Sequence, residues 1–163
     1  MFAFLNFLYT KLNIFYVLNV DIFFEWRKRM EKYHKHLIVN ATVKNPLQTE
    51  KDCNKWLADL VDLIDMEILV PPSSRYCDIV GNEGVTGTVI ITTSHISLHV
   101  WSEVTPPYIR MDVYSCKDFC SDEVMKYLDE TMGIVEEGHL IVDRNEMKPF
   151  VKCCANKCES SQS

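Results

Sequence analysis

Residues 84–101 read GVTGTVIITTSHISLHVW. Branched apolar residues dominate Val85 to Ile91, and from Ser94 onward polar and apolar side chains alternate. Alternation is the strand period, because successive side chains point to opposite faces. Two strands are therefore expected, Gly84–Thr93 and Ser94–Trp101. On the second, Ile96, Leu98 and Val100 share one face, and His95, Ser97, His99, Trp101 and Glu103 share the other. Beyond Pro106-Pro107, the stretch YIRMDVYS (108–115) repeats the pattern. There Ile109, Met111 and Val113 face one way; Tyr108, Arg110, Asp112, Tyr114 and Cys116 face the other. A solvated sheet face usually carries Lys, Glu and Thr. Two His, a Trp, an Arg and a Cys on neighbouring strands look instead like the lining of a pocket.

The flanking segments supply the second layer. His36–Val43 (HLIVNATV) reads as a strand that ends at Asn45-Pro46. Thr49 is a helix N-cap candidate, with Asp52 three residues on as a capping-box analogue. Cys53, Trp56, Leu57, Leu60, Val61 and Ile64 then form one apolar helical stripe. A short strand, Glu67–Val70, is expected to stop at Pro71-Pro72, leaving Ser73–Gly84 as a loop. A second helix is expected from Ser121, with Asp122 and Glu123 in its first turn and Val124, Tyr127, Leu128 and Met132 as its stripe. Gly133 would stop it. His139–Val142 would be the last strand, followed by a polar, Cys-rich tail from Asn145. Strands and helices in this order predict an α+β two-layer sandwich, with a mostly antiparallel sheet, helices on one face, and two similar halves flanking the central hairpin.

Bulk properties narrow the function. The chain has 163 residues, 47% of them apolar and 25% charged, which suits one domain with a real core. A net charge of −6 gives no electrostatic reason to expect nucleic acid or an anionic membrane as partner. Seven cysteines, an odd number with no secretory framework, read as reduced thiols of a cytoplasmic protein. No paired CxxC spacing supports a metal site. Residues 1–29 are apolar but interrupted by Asn6, Lys11, Asn13, Asn19 and Asp21, so no membrane span is expected. They read either as an amphipathic extension or, preferably, as upstream sequence with Met30 the authentic start. The domain itself is expected over residues 30–144, with residues 145–163 as its tail.

The order Gly84-Val85-Thr86-Gly87, then TSHISLHVW, then Glu103, then Asp112-Val113-Tyr114-Ser115-Cys116 resembles the bacterial and archaeal S-adenosylmethionine decarboxylase proenzyme family. The resemblance covers about residues 34–144. It implies a chain that cuts itself between Thr93 and Ser94, leaving a pyruvoyl group derived from Ser94 as a covalent cofactor. It also implies that His99 assists this processing, that Cys116 donates a proton during decarboxylation, and that Glu103 holds ribose hydroxyls in a wall shared with Trp101. The implied assembly is a homodimer of cleaved protomers, and the implied product feeds spermidine synthesis. Such chemistry needs these residue types. A pyruvoyl carbonyl captures an α-amine and takes up the electron pair as carbon dioxide leaves. The carbon left behind needs a proton, which a thiol can give near neutral pH. Ser94 has the parity of the apolar face, so a turn or bulge is expected there to bring it out. Two departures keep alternatives open. Thr93 replaces the family's usual Glu, which would suit an uncleaved regulatory homologue. Cys77-Asp78-Ile79-Val80 replaces the stretch that holds the adenine, and Asp78 would suit the cationic side chain of arginine or ornithine.

Overall fold

A computed structural model describes residues 34–149 of the chain. The expectations for residues 1–29, and for the tail past residue 149, lie outside the described residues. The elements run β1 (Lys35–Val43), α1 (Glu50–Leu63), β2 (Ile68–Cys77), β3 (Gly84–Ile91), β4 (Ser94–Trp101), β5 (Tyr108–Ser115), α2 (Ser121–Met132), β6 (Ile134–Asp143) and β7 (Lys148–Pro149). One seven-stranded sheet has the order β2-β3-β4-β5-β1-β6-β7, and every pairing is antiparallel. The α+β sandwich expected from the sequence is thus the observed fold. The first strand does not stay beside the second. It crosses to lie between β5 and β6.

Local chemistry explains the helices. Thr49 adopts an extended backbone, accepts the Asp52 N–H at 3.1 Å, and donates its hydroxyl to the Asp52 carboxylate at 2.7 Å. That satisfies an N–H group with no partner inside the helix. The predicted stripe Cys53, Trp56, Leu57, Leu60 and Val61 is buried and packs on β2 and β3. Helix α2 starts at Ser121 as expected and ends on Gly133, whose φ of 67° is left-handed. Its Val124, Leu128 and Met132 are buried. It runs alongside β1, because Lys35 at one end of that strand reaches the Phe119 carbonyl and Lys44 just past the other bonds the Met132 carbonyl. Each buried Leu or Val removes apolar area worth about 1.5–3 kcal/mol from water, so one continuous core lies between helices and sheet.

Several expectations need correcting. Strand β2 does not stop at Pro71-Pro72 but runs on to Cys77, so the connecting loop shrinks to residues 78–83. The prolines survive because β2 is an edge strand, where a missing N–H leaves nothing unpaired, and because its pairing with β3 shifts register around them. Strand β6 starts at Ile134, five residues earlier than its apolar run suggested, since its pairing with β1 carries Glu136 and Glu137 along. Among the described residues Cys53, Cys77 and Cys116 are free thiols. No described helix is long and apolar enough to cross a membrane.

Candidate active site

Both helices cover one face of the sheet, and the side chains singled out from the sequence line the other. At one end of that open face β3 and β4 join through a two-residue turn, Thr92-Thr93, closed by the Ile91–Ser94 pair. Ser94 has φ 155°, a region that side chains bearing a Cβ rarely adopt and that costs on the order of 1–3 kcal/mol. The distortion frees Ser94 from the apolar parity of Ile96 and Leu98. It is half-buried, and its hydroxyl lies 3.2 Å from His95 Nδ1. The Thr93 carbonyl accepts the Cys116 backbone N–H at 3.1 Å, extending the β4–β5 ladder by one bond. Ser94, the Thr93 carbonyl and the free, half-buried Cys116 thus share one corner.

His99, Trp101 and Glu103 gather elsewhere. His99 is opposite Thr86 in the hairpin, and its Nδ1 lies 3.0 Å from the Thr86 hydroxyl. Trp101 stacks on its cross-strand partner Tyr108 at 4.6 Å and 15°, donates its indole N–H to Asn82 at 2.7 Å, and has the Arg110 guanidinium 5.9 Å from its ring. Glu103 is exposed in the following loop. A depression of about 350 Å³ beside this group is lined by Asn40, Thr42, Tyr108, Arg110, Glu136 and Glu137. Five residues of strand separate Ser94 from His99, about 17 Å. The side chains expected to act together thus fall in two groups at opposite ends of a single face, and His99 does not reach Ser94 within one chain.

Between them lies a polar aromatic cluster. His36 Nε2 is 3.0 Å from Asp112, and Ser97 donates to the same carboxylate at 3.4 Å. The Tyr114 hydroxyl meets His34 Nδ1 at 2.8 Å, while the rings of His36 and His95 and the Arg144 guanidinium surround the Tyr114 ring. The sequence signal at His34-Lys35-His36 would have been dismissed as surface chemistry. Lys35 is in fact 1% exposed, with its ammonium on the Phe119 carbonyl at 2.6 Å and on Asp118 at 3.2 Å. Thr86 was also overlooked. Its signal was available: once the turn is two residues long, the register places it opposite His99.

The motif glycines are explained by crowding. A Cβ on Gly84, whose φ is 148°, would fall 1.8 Å from the Val100 carbonyl oxygen. One on Gly87 would fall 2.6 Å from Cys53 Sγ. Both keep β3 close to its neighbours, and Thr86 between them is left to face His99.

Residues 35–145 match the model of the family described as S-adenosylmethionine decarboxylase. A curated S-adenosylmethionine decarboxylase proenzyme of Methanococcus maripaludis strain C5 is 25% identical over 127 residues, covering 73% of this chain and 99% of that one. One from Clostridium botulinum strain Loch Maree is 28% identical over 100 residues, covering 60% and 81%. The crystal structure of the adenosylmethionine decarboxylase from Aquifex aeolicus shares the fold, with TM-score 0.55 and 20% identity over 76% of this chain and 97% of that one. The chain belongs to the S-adenosylmethionine decarboxylase family.

Proposed function

We propose that this protein is a self-processing decarboxylase of S-adenosylmethionine that supplies the aminopropyl donor for spermidine synthesis in the cytoplasm. The observation that carries the reading is the Thr93–Ser94 corner. Ser94 follows a peptide carbonyl already held by the Cys116 N–H, in a strained turn, with its hydroxyl beside His95. A backbone donor on that oxygen stabilises the negative charge that develops when the carbonyl is attacked. Ser94 Oγ bonds to the Thr93 carbonyl carbon, the Thr93–Ser94 amide bond breaks, and the hydroxyl proton ends on the Ser94 nitrogen. The resulting ester loses the Ser94 α-proton and the Thr93 carboxylate by elimination. Water then releases the nitrogen as ammonia and leaves a pyruvoyl group at the start of β4. That group supplies an electron sink for carbon dioxide loss. Cys116, in the same corner, is suited to return a proton to the substrate carbon. Glu103 is suited to accept the vicinal ribose hydroxyls, and the Trp101–Tyr108 stack offers a flat surface to the purine.

The separation of the two groups of side chains supports a homodimer of cleaved protomers. A second protomer laid face to face and turned end for end would bring His99 and Thr86 of the partner subunit over Ser94. The open face suits such a contact, since exposed Ile90 and Leu140 sit on it among the histidines and tyrosines. The test is the intact mass of the purified protein, followed by assay of labelled carbon dioxide release. Two pieces, residues 1–93 and 94–163, with release from carboxyl-labelled S-adenosylmethionine are expected. A single 19.0 kDa species would overturn the reading. Release from arginine or ornithine, with none from S-adenosylmethionine, would overturn the substrate.

A further inference from the structure

Thr93 is held at both ends. Its carbonyl takes the Cys116 N–H at 3.1 Å. Its hydroxyl belongs to a chain of bonds that runs in one direction. The Lys117 N–H donates to Ser115 Oγ at 2.9 Å, Ser115 Oγ donates to Thr93 Oγ1 at 3.0 Å, and Thr93 Oγ1 lies 3.3 Å from Met66 Sδ, its acceptor. Ser115 is fully buried and Met66 nearly so. Thr93 Oγ1 is the nearer acceptor of the Ser115 hydroxyl, Met66 Sδ lying at 3.9 Å from it, and both hydroxyls also accept a bond. Three segments meet here. Thr92 N–H bonds the Glu67 carbonyl at 2.9 Å, and the Lys117 ammonium bonds Asp65 at 2.5 Å through its carbonyl and 2.9 Å through its carboxylate. The Thr92-Thr93 turn is thereby fastened to the loop before β2 and to the end of β5.

We infer that the Thr93 hydroxyl is a positioning group for self-cleavage, fixing the Thr93–Ser94 peptide through Ser115 and Met66 so that its carbonyl stays on the Cys116 N–H. The inference rests on the cleavage reading above. Rotation of the Thr93 peptide would take the carbonyl off its donor. A hydrogen bond to a sulfur atom is weak, so the relay acts by restraint rather than by strength. The short Thr93 hydroxyl spans Ser115 Oγ and Met66 Sδ at 3.0 and 3.3 Å. A longer carboxylate at this position would have to leave the relay. Thr93 is therefore an adapted part of this corner and is compatible with cleavage.

Thr93→Val keeps the shape and removes the hydroxyl. It is expected to slow self-cleavage by roughly tenfold, the rate equivalent of one lost hydrogen bond with its restraint. Thr93→Ser keeps the hydroxyl and is expected to cleave within about twofold of the unaltered chain. Ser115→Ala provides a second route to the same loss and is expected to slow cleavage as Thr93→Val does. Cleavage is followed from the onset of expression by intact mass, with thermal midpoints taken on Ser94→Ala backgrounds so that folding is measured in uncut chains. Neutral hydroxylamine, which cuts an accumulated ester, separates the steps: it is expected to give no acceleration in Thr93→Val, because the slowed step precedes the ester. Cleavage of Thr93→Val at the unaltered rate would overturn the inference. So would Thr93→Ser as slow as Thr93→Val, or full recovery with hydroxylamine. Failure of the unaltered chain to cleave would instead overturn the cleavage reading itself.

Discussion

Gly84 has no room for a methyl group. A Cβ there would overlap the Val100 carbonyl oxygen at 1.8 Å, and its φ of 148° is one that L side chains avoid. Gly84→Ala should therefore cost at least about 3 kcal/mol, above the ordinary run of point substitutions. Urea unfolding of the Ser94→Ala chain, with and without the substitution, measures it. The glycines of GVTG were legible as part of the family motif, but not their cause, since the clashing atoms come from β4 and α1. Likewise Ser94, Cys116 and His99 were legible as candidates. The distance between them was not, because it depends on which strands are neighbours and on where along a strand each residue falls. The Ser115–Thr93–Met66 relay was invisible for the same reason. Its members are 22 and 27 positions apart in sequence and meet only in the folded sheet.

Helix α1 and strand β3 interlock at Cys53, whose Sγ occupies the space left by Gly87. Burial in this seam pushes the Cys53 thiol from 9.0 up to about 11, with a bond from the Ser74 side chain offsetting part of the rise. Folding therefore favours the protonated thiol. The stability this group contributes is complete below pH 9 and is lost as pH rises toward 11, because the unfolded thiol ionises first. Two pH units correspond to about 2–3 kcal/mol. Between pH 8 and 10 the loss should belong to Cys53, since Tyr127, raised by burial and then by Asp59 to about 12, contributes only above pH 10. Chemical unfolding across that range should show a falling limb that flattens in Cys53→Ala. At this scale the sequence was most legible in the helices, where capping and a 3.6-residue stripe are local signals. It was least legible in β2, where local proline chemistry predicted a stop and the edge position removed the reason for one.

At the scale of the whole molecule, the proposed homodimer rests on the two groups of side chains at opposite ends of one face. Mixed expression of His99→Ala and Ser94→Ala chains tests this directly. Each variant alone should cleave slowly or not at all. In the mixture, the His99→Ala chain retains Ser94 and can use His99 of the partner subunit, so cleavage should reappear and be confined to that chain. Differently tagged chains resolved by mass would show which one is cut. No recovery in a mixture shown to contain heterodimers would sink the face-to-face assembly. The layer architecture behind this argument was legible from alternation and helical stripes. The crossing of β1 was not, because no local pattern records which strands pair across the chain.

That crossing would matter once the proposed cut at Thr93–Ser94 is made. One piece then holds β1, α1, β2 and β3, and the other holds β4, β5, α2, β6 and β7. The first strand of the first piece is hydrogen-bonded on both sides by strands of the second. Interleaving of this kind holds the pieces together once folded, but it also makes assembly a one-time event. An intact chain finds this arrangement in a first-order reaction, with its strands tethered. A cut one must do so by collision between two fragments, at a rate that falls with dilution. The proposed cleavage would thus make recovery from denaturation depend on concentration.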